Sequence, residues 1–219
     1  MLEEFTENDR QDVRDQLGRE PRGVAGVAWR CGCGKPGVIA TEPRLPNGTP
    51  FPTTYYLTCP RAASLIGTLE SSGLMARMTE RLGEDKELAD QYRRAHESYI
   101  ADRVVIGEDA GLDPVPEIDG ISAGGMPTRV KCLHALAGHA LAVGPGVNPF
   151  GDEVVAELGE FWCDPCAPEH REPESDRRIV RAAATPLQLS TAGRIRFASS
   201  SHQPIRTGVW SSSHENWKW

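Results

Sequence analysis

The chain has 219 residues, 39% of them hydrophobic and 25% charged, with a formal net charge of −7. That length accommodates one domain with a proper core plus appendages, and the acidic balance leaves no global footprint for nucleic acid. No apolar run approaches the ~18 residues that a membrane-spanning helix needs. The acidic, amphipathic start "MLEEFTENDRQDVRDQLGRE" is the opposite of a secretory leader, so the expected compartment is the cytoplasm. In that setting the six cysteines read as metal ligands, reactive thiols or buried apolar fillers rather than disulfides.

In chain order, Thr6 can cap a helix running to about Leu17, closed by Gly18. Two β-prone runs, Val24–Trp29 and Val38–Thr41, flank the turn "CGCGKPG", and "TTYYLT" makes a third strand after a Pro-rich loop. From Pro60 the pattern becomes helical. Ala62, Leu65, Ile66 and Leu69 recur at helical spacing until Gly73, Leu74–Leu82 forms a second helix, and Leu88, Tyr92, Ala95 and Tyr99 stripe a third. Pro127 can open a helix to about Val143, and a last one covers about Asp152 to Phe161. The expected class is α+β, with a small N-terminal antiparallel sheet of about three strands packed by four or five helices. The expected organisation is an N-terminal helix over 1–18, a single α+β domain over 19–162, and a C-terminal extension over 163–219, largely disordered or loosely packed. From Arg171 onward the chain carries eight Lys/Arg against four Asp/Glu, so this tail is the one basic segment.

The stretch "FWCDPC" (Phe161–Cys166) looks like a thioredoxin-type dithiol. Such a pair works because a strand delivers the first cysteine to a helix N-terminus. Cys163 instead follows a helix, and no βαβ pattern precedes it. The favoured reading of Cys163 and Cys166 is two surface thiols, with a share in a metal site as the alternative.

The other four cysteines offer a zinc set. Cys31 and Cys33 leave one glycine turn like a shortened zinc knuckle, Cys59 ends the third strand, and Cys132 sits on the fifth helix. Four thiolates satisfy zinc, as do three with His134 or His139. In a regular helix from Pro127, Cys132 and His134 point about 160° apart, so "CLH" is not a chelate and any partners of Cys132 must come from the sheet.

A second site is suggested by "SAGGMP". Gly124 and Gly125 can turn backbone amides toward an anion. Arg129 and Lys131, in the first turns of a helix from Pro127, have the wrong sign for its dipole, a cost that a bound phosphate or carboxylate would offset. His134 and His96 are then the candidate acid/base residues. Cys59, placed before a helix, is a candidate nucleophile that could not also bind zinc.

Three stretches, "PRLPNGTPFPTTYYLTCP", "ISAGGMPTRVKCLH" and "GPGVNPFGDE", together resemble a bacterial family known as domain of unknown function 501, over about Arg19 to Gly159. The resemblance implies a small intracellular protein and carries no activity with it. Three functional classes follow. The first is a zinc-binding domain with an anion-binding cleft, open to catalysis. The second is a non-catalytic interaction module with structural zinc, and the third a thiol enzyme using Cys59 or Cys132. Expected partners are a small anionic ligand or a protein, with nucleic acid reached only through the basic tail.

Overall fold

The structure, a computed structural model, describes residues 2–159. The tail, Cys163 and Cys166 lie outside the described residues.

Helix α1 (Glu7–Leu17) begins at Thr6, whose hydroxyl accepts from the Asp9 amide at 3.2 Å while the Asp9 carboxylate accepts from the Thr6 amide at 3.0 Å. This reciprocal box satisfies two N-terminal donors, and Gly18 at φ 67° ends the helix. The same carboxylate, 5% exposed, is gripped by the Arg30 guanidinium at 2.6 and 3.1 Å. That forked pair docks α1 on the sheet and pulls the Asp9 carboxyl down to about 2, with the hydrogen bonds from Arg30 the largest cause.

Strands β1 (Val24–Arg30), β2 (Pro36–Thr41) and β3 (Tyr55–Leu57) form an antiparallel sheet in the order β1-β2-β3. Every residue of the central strand is buried, which fits its run of small and β-branched side chains. Gly37 opposes the Trp29 ring so closely that a Cβ there would overlap it. The indole therefore covers bare backbone.

Six α-helices are present among the described residues. After α1 come α2 (Pro60–Ser71), α3 (Leu74–Glu84), α4 (Lys86–Asp109), α5 (Leu133–Val143) and α6 (Pro149–Glu157). The stripe Leu88, Tyr92, Ala95 and Tyr99 faces the core and continues through Arg103 and Ile106, so α4 is longer than its sequence pattern implied. Tyr99 ties α4 to the sheet by accepting the Thr54 amide at 2.6 Å. Helix α5 is the centrepiece. It packs on all three strands and on α2 and α6. Gly138 lets it approach β3, where a Cβ would stand 3.0 Å from the Tyr55 carbonyl oxygen. No helix among the described residues is long and apolar enough to cross a membrane.

The fifth helix starts later than expected, at Leu133 and not Pro127. Residues 124–131 instead close a loop on themselves. The Lys131 amide donates to the Gly124 carbonyl at 2.7 Å, the Arg129 amide to the Gly125 carbonyl at 3.2 Å, and the Val130 amide to the Thr79 hydroxyl at 3.0 Å. Amides that a helix would use are thus bound elsewhere, and Cys132 becomes an extended N-cap at φ −151°, ψ 111°.

Candidate metal centre

That shifted boundary changes which side chains meet. With Cys132 extended and His134 in the first turn, the two no longer diverge by a helical angle. Both converge with Glu70, which lies in the last turn of α2. Ligand atoms of Glu70, Cys132 and His134 lie within 4.8 Å of one another, the one group of three such donors among the described residues.

The histidine orientation is determined by its partners. His134 Nε2 lies 3.0 Å from the Ala63 carbonyl oxygen, which can only accept, so Nε2 carries a hydrogen. Nδ1 then faces Glu70 Oε1 at 3.1 Å. The same carboxylate oxygen accepts the Leu133 amide at 2.7 Å, supplying the cap that Cys132 does not provide from its side chain. All three side chains are half-buried. The His134 imidazole is held protonated up to about 10 by its hydrogen bonds with Cys132 and then Glu70, against the opposing cost of burial. Burial works to raise the Glu70 carboxyl, but hydrogen bonds from His134, the Leu133 amide and Cys132 together hold it below the usual range.

The remaining sequence candidates are dispersed. Cys31 is buried in the β1–β2 turn, its amide bonded to the Lys35 carbonyl, with Cys33 half-buried beside it. Cys59 is fully buried at the start of α2. The four cysteines do not form a common donor group among the described residues. The dipole conflict assigned to Arg129 and Lys131 falls away, because both precede the helix. Both are exposed, while the alternate residues Val130 and Cys132 are buried and half-buried. Gly124 and Gly125, at φ 73° and 91°, shape the closed loop, and two of their carbonyls serve its internal hydrogen bonds. His96, on α4 and outside this donor group, pairs through Nδ1 with the Ser122 hydroxyl at 2.8 Å. His139 is fully buried between Tyr55 and Tyr99. Asn148 caps α6 through the Gly151 amide, as its default role implies.

Glu70 was not anticipated, although the sequence holds a signal. It is the one acidic residue of α2 and sits in the last turn, where the helix dipole favours a cation. Misplaced charge of this kind points to a tertiary partner.

The family described as "Protein of unknown function (DUF501)" matches residues 27–156, more than half of the chain. The chain belongs to this family. The DUF501 span contains Glu70, Cys132 and His134 together with Ala63, so the whole donor group and its anchor fall inside the shared domain. No curated protein and no solved structure matches the chain.

Proposed function

We propose that this DUF501 protein binds a transition-metal ion, zinc by its donor chemistry, through a Glu70 carboxylate oxygen, Cys132 Sγ and His134 Nδ1. The observation that carries the reading is the Nε2–H donated by His134 to the Ala63 carbonyl. Metal-bound histidines characteristically donate their second nitrogen to a carbonyl or carboxylate, which fixes the ring, and an entering metal would displace the Nδ1 proton that His134 shares with Glu70. Tetrahedral zinc holds nitrogen and oxygen ligands about 3.4 Å apart, close to the 3.1 Å between Nδ1 and Oε1. A mixed sulfur, nitrogen and oxygen set favours zinc over calcium or magnesium, which take oxygen.

Three protein ligands leave a fourth position for water or an exogenous donor. That is the pattern of reactive rather than purely structural zinc sites. A hard anionic oxygen, from phosphate or carboxylate, is the donor class suited to it, which keeps the anion-binding expectation while moving it from the glycine loop to the metal. A metal there would polarise such a ligand as a Lewis acid.

The test is elemental analysis of untagged, chelator-free protein, with thiol reactivity measured alongside. About one zinc per chain, lost in Cys132→Ser and retained in Cys59→Ser, supports the proposal. Absence of metal, with Cys132 the fastest-reacting thiol, would replace it by the thiol-enzyme reading.

A further inference from the structure

A second feature lies away from the metal centre, where residues 112–119 cross the C-terminal half of α4. A cavity of about 370 Å³ separates them, within the size range of small-molecule sites. Its walls include Ile100, Val104, Leu112 and Val115. Val104 is 52% exposed, so the cleft holds apolar surface that a collapsed loop would have covered.

Two arginines prevent that collapse. Arg103, 5% exposed, reaches from α4 to donate to the carbonyls of Ile118 (2.8 Å) and Ile121, and to Pro52 at 3.4 Å. Arg44 holds Glu117 through one guanidinium nitrogen, Nη2, which donates to both carboxylate oxygens at 2.9 and 3.0 Å. The crossing segment is therefore pinned by both arginines at its C-terminal end and by the Leu112 amide on the Gly107 carbonyl at its start, and the cleft exists before anything enters it. Pre-formed sites of this kind avoid the ordering cost of binding.

The charges around the cleft are one-sided. Glu108, Asp113 and Asp119 line it and are exposed. None has a cation within ion-pair distance among the described residues, since Arg44 is engaged with Glu117. The single lining cation, Arg103, is committed to three backbone carbonyls. The site thus combines an apolar floor with three carboxylates against one lining cation, Arg103, which attracts Asp119 and leaves the rim net negative.

We infer that this cleft binds a small organic cation, an apolar body carrying an ammonium or guanidinium group. The apolar part lies along Ile100, Val104 and Leu112, and the cationic group reaches the carboxylates of Glu108, Asp113 and Asp119. This assignment is independent of the metal centre.

The test is a titration of isotope-labelled full-length protein followed by amide NMR, with tryptamine and indole-3-acetate as probes of similar shape and opposite charge. Tryptamine is expected to shift amides of Ile100–Glu108 and of residues 112–119 at millimolar concentration, with weaker binding as salt rises. Replacing the rim with Asp113→Asn and Asp119→Asn should weaken it about threefold, the scale of an exposed ion pair. Val104→Arg, which fills the cleft and supplies its own cation, should abolish the shifts, and the exposure of Val104 makes that change compatible with folding. Equal binding of indole-3-acetate, or no perturbation of these residues by tryptamine, would overturn the assignment.

Discussion

His134 donates through Nε2 to the carbonyl oxygen of Ala63, the fourth residue of α2, at 3.0 Å. Its other nitrogen is thereby aimed at Glu70 and Cys132. Loss of a second-shell partner typically weakens metal binding by about 10- to 100-fold, and loss of a ligand should cost no less. Glu70→Ala is therefore expected to raise the zinc dissociation constant at least about tenfold, measured by competition with a chromophoric chelator. Unchanged affinity would remove Glu70 from the ligand set.

The Asp9–Arg30 pair predicts acid sensitivity in one window. The carboxyl is depressed from 3.8 to about 2 in the folded chain. Its contribution is therefore fully present above about pH 4 and lost as pH falls toward 2, a change of the order of 2 kcal/mol. Asp9→Asn should be less stable than the parent in urea unfolding near pH 6, and the gap should shrink steadily on approach to pH 2.

His139 predicts a second window at milder pH. Asn148 Oδ1 accepts the Gly151 amide, so its Nδ2 donates to His139 Nδ1 at 3.2 Å. The ring is then neutral with its hydrogen on Nε2, a buried donor that finds no acceptor. Burial lowers its pKa from 6.5 to about 4. A base depressed on folding stabilises above its unfolded pKa and loses that contribution as pH falls, here from 6.5 toward 4, by up to about 3 kcal/mol. His139→Gln keeps an acceptor for Asn148 and cannot titrate, so its unfolding free energy should vary less across that window.

Two helical glycines should respond to alanine with opposite sign. At Gly151 a Cβ would overlap the Leu136 carbonyl and stand 2.8 Å from Ala140 Cβ, so Gly151→Ala should destabilise by about 1–3 kcal/mol through overpacking of α5 against α6. At Gly67, inside α2, a Cβ would meet nothing within 4 Å, and Gly67→Ala should stabilise by about 0.5–1 kcal/mol through helix propensity. Thermal unfolding of the two variants decides both signs.

Much of this architecture was readable from local pattern. The Thr6 cap, the Gly18 stop, the three strands and the Leu88–Tyr99 stripe all depend on residues within a few positions of one another, where periodicity and capping chemistry act directly. The start of α5 depends instead on where the amides of Arg129, Val130 and Lys131 go. Two find carbonyls of the glycine loop and one finds Thr79 on another helix, a competition that no local propensity describes. That single displacement also hid the donor group, because it alone lets Cys132 and His134 face the same carboxylate.

Glu70 and the Leu133 amide are 63 positions apart, yet their 2.7 Å hydrogen bond sets the first turn of α5. The helix therefore has a boundary written in another helix. Fraying of the last turn of α2 would withdraw the cap and loosen the first turn of α5 in the same event, so the two ends should open as one cooperative unit. Deuterium uptake at the amides of Leu133 and Ser71 should then rise together in Glu70→Ala, while the protected middle of α5 around Ala137 keeps its rate.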